Sequence, residues 1–449
     1  MKIVILAQHF PPETTPTGRR AQDLAESLAR RGHEVTVITG QPNHPAALHR
    51  FFCQNAAPTK RSSEGYLVLR VPVFRSSDAR AWKRLLTYAT FMLAAAWRGI
   101  RQARPDTIVA VSPLPAGLAA LAVHWWHRVP LIFDLQDIWP DSARAVGVMR
   151  DGLALRALRQ VERLLYPCCA QVVVISEGFR RYLCGLGVPR ERISLIPNGV
   201  QSVMFYGAPP QRRIRRARPL HDDFVVGYVG NHGLAQGLET ALDAARCLER
   251  EPVRFLLIGE GVEKRRLEQH AREAGLKNVR FLRGVRRTRV PGLLKACDAL
   301  LVILRDDPLF RITIPSKVYE YMAAGKPVLC SVEGECADLV AEARCGLAIL
   351  PGDGQALAAA IRQLTSDPAA ARAMGESGAN WVRAHCDRSS VMEAYHRVLR
   401  EALHNPPRNV VGREQVGSEV SRRPAIASVY ERRFRRSQSA QETRVAPWR

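Results

Sequence analysis

Lys317 and Glu320 stand three residues apart in the stretch Ile314-Pro315-Ser316-Lys317-Val318-Tyr319-Glu320-Tyr321-Met322-Ala323-Ala324-Gly325-Lys326-Pro327-Val328. On a helix that spacing puts an ammonium and a carboxylate on one face. The stretch predicts a short helix with both ends marked: Pro315 in the first turn, Gly325 where the helix stops, and Pro327 blocking any continuation. The amides of Ser316, Lys317 and Val318 would form a positive helix end suited to phosphate, with Lys317 adding a full charge. Glu320, one turn deeper, is placed to accept hydrogen bonds from neutral hydroxyls such as those of a ribose. Val318 and Met322, four apart, share the face that packs inward. The same spacing also describes an ordinary surface Lys–Glu pair on a capped helix, and spacing alone does not separate the two.

A second concentration of polar groups follows the apolar run Pro130 to Leu135. It reads Gln136-Asp137-Ile138-Trp139-Pro140-Asp141-Ser142. Two carboxylates and a tryptophan at the C-terminal end of a strand point to site chemistry rather than packing, with Asp141 better read as the cap of the next helix.

These groups need a scaffold that gathers strand ends. Lys2 to Ala7 reads as a buried parallel strand, followed by a loop that holds Pro16-Thr17-Gly18. A helix with Ala21, Leu24, Ala25 and Leu28 inward comes next, then a strand from Glu34 to Thr39. Strand, loop, helix, strand opens a doubly wound α/β sheet, in which ligands sit beyond the strand C-termini. Gly18 therefore falls at the cleft, where a glycine lets backbone approach a ligand; a plain helix start is the alternative. The loop is not a G-x-G-x-x-G fingerprint, so no nicotinamide cofactor is expected. His9 reads as a packed loop histidine. Further strands are expected at Tyr66 to Val71, Thr107 to Ser112, Gln171 to Ser176 and Ile193 to Ile196. Pro197-Asn198-Gly199-Val200 then marks a domain boundary, and the basic stretch 208–219 reads as surface loop.

A second doubly wound unit starts at Phe224. Its strands end in Gly227-Tyr228-Val229-Gly230 (followed by Asn231 and Gln236), Gly259-Glu260-Gly261 and Gly284-Val285, and a strand from Asp298 to Leu304 precedes the Lys317 helix. Helical segments follow at 335–344, 355–365 and 389–403. The expected division is 1–197, 198–385, a final helix over 386–403, and a basic, disordered tail over 404–449. Residues 405–449 hold ten Arg, no Lys and four Glu.

The chain's 449 residues suit two domains, each large enough for a core. A formal charge of +24 implies an anionic partner: nucleic acid, anionic lipid or a phosphorylated small molecule. Ten cysteines without a C-x-x-C pair indicate neither a zinc site nor a disulfide framework, and a reducing compartment is expected. The N-terminus does not read as a signal peptide, and the longest apolar run, Leu86 to Trp97, is too short to span a bilayer. Between Arg75 and Arg104, Arg75, Arg80, Lys83, Arg84, Arg98, Arg101 and Arg104 surround an apolar centre flanked by Trp82 and Trp97. Such a helix either lies on anionic headgroups or covers the sheet with a basic outer face.

The Pro315 to Val328 stretch resembles the second half of the glutamate-x7-glutamate region of retaining glycosyltransferases of family four, which use the two-domain GT-B fold. Its wording is most similar to a subgroup that builds bacterial surface polysaccharides, including N-acetyl-fucosamine transferases. The resemblance covers residues 1 to 403 or so. It implies two Rossmann-like domains facing a cleft, with the final helix over 386–403 packing back on the first, and a nucleotide-sugar donor, UDP-linked, as substrate with no cofactor. It also implies a lipid-linked saccharide acceptor and an enzyme on the cytoplasmic face of the membrane. Donor contacts would fall on Gly18, Gly230, Asn231, Gln236, Gly259, Glu260, Gly284, Val285, Ser316, Lys317, Val318 and Glu320. Asp137 would be the carboxylate nearest the reaction and Trp139 a sugar platform. Two departures stand out. The family's first glutamate is replaced by Ile312, with Asp306 and Asp307 nearby in a loop read as solvated, and the usual arginine and lysine of the first donor loop are Asn231 and Gln236. Lys317 is then the charged partner of the diphosphate. No D-x-D pair is placed to hold a metal. Two other readings are weighed: an epimerase of the same fold, separated by product analysis, and nucleic-acid binding, for which no recognisable module is present.

Overall fold

The computed structural model describes residues 1–13, 15–42, 59–74, 81–207, 209 and 223–404. Arg75, Arg80, the side chains of Trp82 and Arg84, most of 208–219 and all of 405–449 lie outside the described residues.

Two parallel sheets carry the fold. The first has eight strands: β1 (Lys2–Ala7), β2 (Glu34–Gly40), β3 (Thr59–Arg61), β4 (Leu67–Val71), β5 (Thr107–Val111), β6 (Leu131–Leu135), β7 (Gln171–Val174) and β8 (Ile193–Leu195), in the order β3-β4-β2-β1-β5-β6-β7-β8. Only β3 runs antiparallel, a short exposed edge that the sequence does not announce. Helices cover both faces, so β1 and β5 read as apolar runs rather than alternating ones, and β6 does so but for Asp134. On one face Leu6, Ala110 and Phe133 pack in a core completed by Phe91, Ala116 and Ala120. On the other, Ile5, Val109 and Ile132 meet Leu24 and Leu28 of the helix Pro16–Arg30. The same core holds Val391, Tyr395 and Leu399 of the final helix, Arg388–His404, which therefore packs on the first sheet.

The second sheet holds β9 (Phe224–Val229), β10 (Val253–Ile258), β11 (Val279–Leu282), β12 (Ala299–Ile303), β13 (Val328–Ser331) and β14 (Gly346–Ala348), in the order β11-β10-β9-β12-β13-β14 and parallel throughout. Two doubly wound α/β units are thus present, as the strand pattern requires.

Three expectations need correction here. Pro16, Thr17 and Gly18 are not loop: Thr15 is the N-cap, its hydroxyl accepting from the Gly18 amide at 3.1 Å, and Pro16 opens the helix where its missing N–H costs nothing. Asp141 is not a cap: it sits inside the first turn of Asp141–Ala145 and accepts from the Arg159 guanidinium. A helix over Pro368–His385, capped by Asp367, is an addition to the expected elements.

The units meet along strand ends and helix starts. Ser176 Oγ donates to the Ile312 carbonyl at 2.6 Å, Arg181 pairs with Glu335 at 3.0 Å, and Arg144 reaches Asp307 at 3.5 Å. Buried inside the first unit, Arg20 donates from Nε to Asp134 at 2.7 Å and from its terminal nitrogens to the carbonyls of Ile196 and Pro197. One guanidinium therefore ties the first helix, the end of β6 and the chain's exit from the first sheet.

Candidate active site

The predicted helix forms as Lys317–Ala323, with Ser316 at the N-cap position but making no side-chain cap, and it stops before Gly325, whose φ of +69° suits only glycine well. Val318 and Met322 are fully buried beneath it. Pro315 precedes the cap instead of entering the first turn, and its carbonyl takes the Val318 amide at 3.0 Å. That amide is therefore spent, which corrects its assignment to an open helix end.

Lys317 and Glu320 do not form a surface pair; they reach in different directions. Lys317 Nζ donates to Tyr228 Oη at 2.8 Å and to Gln236 Oε1 at 2.9 Å, and lies 4.1 Å from the centre of the Tyr228 ring. The Tyr228 hydroxyl in turn donates to the Asn231 carbonyl at 2.6 Å. A Cβ on Gly230 would stand 3.1 Å from Nζ, so backbone without a side chain faces the ammonium. Lys317 is only half-buried by area yet walled by protein, and desolvation lowers its pKa to about 7, with Glu320 opposing. A cation held in a cleft, with no carboxylate among the described residues in ion-pair contact with it, is suited to an incoming anion. Thus Gly230, Asn231, Gln236 and Lys317, spread over the sequence, are brought together, with Tyr228 as the link that sequence reasoning missed.

The loops after β9 and β10 are pressed back to back. A Cβ on Gly259, at φ +154°, would fall 1.7 Å from the Gly230 carbonyl oxygen, and one on Gly261 would meet the His232 carbonyl at 2.2 Å. The glycines are required by this close approach. Lys264, buried and not singled out from the sequence, spends its three protons on the Gly259 carbonyl (2.8 Å), the Leu282 carbonyl (2.9 Å) and Glu260 (3.2 Å). Glu260 Oε1 also accepts from the Gly284 amide at 3.3 Å, and Val285 is partly exposed beside it. Glu260, Gly284 and Val285 are thereby fixed as one wall. His232 is fully buried, and burial with the nearby Lys264 and Lys317 charges takes its pKa down to about 4, so its imidazole stays neutral. The i,i+4 spacing of Glu260 and Lys264 was the available signal for this wall.

Glu320 faces Arg287 instead, accepting from its Nη2 at 2.7 Å. Arg287 lies close enough to Arg19 and Asp23 of the first helix for its charge to be felt by both. The segment that carries Gly18 therefore borders the same cleft. Gly18 itself is crowded, a Cβ there meeting Thr15 Oγ1 at 2.9 Å and the His9 carbonyl at 3.1 Å, so its smallness already serves the helix start.

Asp137 stands at the end of β6, solvent-accessible but surrounded by protein, and accepts from Ser142 Oγ at 2.9 Å. Those surroundings hold its carboxyl above the usual carboxylate range, with the Ser142 hydroxyl and the Ile138 amide opposing. Trp139 is corrected: at 9% exposure it sits in the core, edge-on to Tyr88 with centroids 5.7 Å apart, and has no open ring face to offer a sugar. Ile312 packs against Gly178 of the first unit, beside the Glu335 carboxylate that Arg181 holds. Asp307 caps the turn at Pro308 through the Leu309 amide, while Asp306 pairs with Arg311.

Comparison with known proteins gives the family. Residues 17–199 match the glycosyl transferase 4-like domain and residues 210–381 the glycosyl transferases group 1 domain, one on each sheet. WcaI of Escherichia coli K12, named for colanic acid biosynthesis, is 29% identical over 379 residues, covering 81% of this chain and 92% of its own. LpsD of Rhizobium meliloti, a lipopolysaccharide core biosynthesis glycosyltransferase, is 32% identical over 190 residues, 42% of this chain and 52% of its own. Among solved structures, sucrose-phosphate synthase of Thermosynechococcus elongatus superposes with a TM-score of 0.72 at 20% identity, covering 90% of this chain and all of its own. HepE of Anabaena in complex with UDP does so at 0.66 and 19%, covering 89% and 100%. Fold and site define a glycosyltransferase. The chain belongs to glycosyltransferase family four, with the GT-B fold.

Proposed function

We propose that the enzyme transfers a sugar from a UDP-sugar, such as UDP-N-acetyl-fucosamine, to a lipid-linked saccharide in bacterial surface polysaccharide synthesis, with retention of configuration. The observation that carries this reading is the Lys317 ammonium, held by Tyr228 and Gln236 against the bare backbone of Gly230. A cation at that place stabilises the diphosphate as it leaves, and neither a cofactor nor a metal is needed for the role. The names of WcaI and LpsD support a polysaccharide acceptor, and the UDP in HepE supports the donor. Glu320 takes the ribose hydroxyls and the Gly259–Glu260 and Gly284–Val285 loops flank the base. Asp137 faces the acceptor. An acceptor-binding role favours transfer over epimerisation, and release of free UDP only when acceptor is supplied distinguishes the two.

The test of the ribose assignment is Glu320→Ala. Loss of a charged acceptor should weaken UDP binding about ten- to a hundredfold with the fold intact. Titration calorimetry gives the answer, and unchanged affinity would remove Glu320 from the site.

The acceptor's lipid places the enzyme on a membrane surface. Among the described residues no helix is long and apolar enough to cross a bilayer. Leu93, Trp97, Trp125 and Trp126 are exposed on the helices Ala81–Ile100 and Leu114–His127, which interlock where Gly99 meets Val123, and Arg101 lies 4.3 Å over the Trp97 ring. Exposed tryptophans with a guanidinium stacked on one of them suit an anionic interface. Sedimentation with vesicles should show binding that needs anionic lipid, weakens as salt rises, and falls when Trp97, Trp125 and Trp126 are changed to Ala. Indifference to vesicles would favour a soluble acceptor.

A further inference from the structure

Arg287 comes from the 3-10 turn Arg287–Arg289 after β11, just beyond the wall at Gly284 and Val285. Its Nη2 spends one proton on Glu320 Oε1, at 2.7 Å. Glu320 Oε2 is neither buried nor, among the described residues, hydrogen-bonded, and the Glu320 side chain keeps 23% exposure. The carboxylate is thus held by one oxygen and open at the other. Behind the same turn, the Gly284 amide is fixed by Glu260, which is fixed by Lys264. We infer that Arg287 is a positioning residue for the donor: it clamps Glu320 in the rotamer that receives the ribose and couples that grip to the loop bordering the base. This rests on the assignment of Glu320 to the ribose.

The physical reason is preorganisation. An unclamped glutamate samples several rotamers and must be immobilised when the nucleotide arrives, which costs affinity. A guanidinium that holds one oxygen removes that cost beforehand and leaves the other oxygen turned out to accept from a hydroxyl. Arg283, Arg286, Arg287 and Arg289 crowd this segment, and no sequence rule marks Arg287 among them. Only the approach of the turn to the Lys317–Ala323 helix does.

The experiment is UDP titration calorimetry on the full chain with Arg287→Ala, Arg287→Lys, Glu320→Ala and the double variant Arg287→Ala/Glu320→Ala, with thermal midpoints measured alongside. Arg287→Ala should weaken UDP binding about tenfold, the scale of a single charge-assisted hydrogen bond. Arg287→Lys should recover part of the loss, since a cation remains. In the Glu320→Ala background the Arg287→Ala change should cost nothing further, because a residue that acts through Glu320 has nothing left to act on. Wild-type or tighter binding by Arg287→Ala, beside a weakened Glu320→Ala, would overturn the clamp alone and make Arg287 a bystander or a plug. An undiminished Arg287→Ala effect in the Glu320→Ala background would overturn it too, by giving Arg287 its own ligand contact. If Glu320→Ala itself binds UDP normally, the ribose reading fails and the clamp with it.

Discussion

Lys317→Ala should lower turnover about 10²- to 10³-fold, the usual loss when one fixed donor to a developing negative charge is removed. The leaving diphosphate gains charge as the glycosidic bond to it breaks, and the Lys317 ammonium is set to meet that charge. It is held by Tyr228 and Gln236, neither of which neutralises it. UDP affinity should fall while uridine affinity stays near wild type; equal losses for both ligands would remove Lys317 from the phosphate site. Asp137→Asn provides the contrast, with UDP affinity kept and turnover reduced, because Asp137 belongs to the other sheet.

The lowered pKa of Lys317, about 7, adds a pH signature. Below that value the free enzyme carries the ammonium ready for the diphosphate. Above it the lysine must regain a proton to bind, so UDP affinity should drop by up to tenfold per pH unit, and the variant should lose this dependence. Stability moves oppositely in this window. From pH 7 to roughly 10.4 the unfolded chain holds a proton that the folded chain has lost, so this group's contribution to stability rises with pH.

Asp134→Ala should destabilise the first unit by about 3–5 kcal/mol, the cost of stranding a buried charge. Both partners of the Arg20–Asp134 pair are almost wholly buried, 2.7 Å apart, and Arg20 also holds the carbonyls of Ile196 and Pro197. Removing the carboxylate leaves a desolvated guanidinium with two neutral acceptors. The urea midpoint read by circular dichroism should fall sharply, whereas Arg20→Met combined with Asp134→Leu should recover much of the loss, since an apolar pair carries no desolvation penalty. A single variant as stable as wild type would show that the pair adds nothing. Asp134 lies three residues before Asp137, so the substitution should disturb the β6 end as well.

The doubly wound architecture was legible because it rests on local signals. The apolar runs at Lys2 to Ala7 and Ala299 to Ile303 are buried on both faces, and such strands must read as continuous hydrophobic stretches. Gly325 stopped its helix for the same kind of reason, since φ +69° is a property of a residue and its neighbours. Lys317, Glu320, Gly230, Gly259 and Gly284 could be named as one set through the family resemblance, and a parallel sheet is a scaffold that delivers strand ends to one edge.

Tertiary structure decided which way each side chain reaches and what it meets. Lys317 and Glu320 share a helix face by spacing, yet one is drawn to Tyr228 and the other to Arg287, partners 89 and 33 residues away. Trp139 looked like an exposed platform because an aromatic beyond a strand end is ambiguous; the helix that brings Tyr88 against it made it core. Gly259 looked like a ligand-facing glycine, and what requires it is the Gly230 carbonyl of the neighbouring loop. Periodicity and turn chemistry are written within a few residues and can be read there. Burial, desolvation and pairing depend on atoms that the chain supplies from elsewhere, so they come into being only when the sheets are packed.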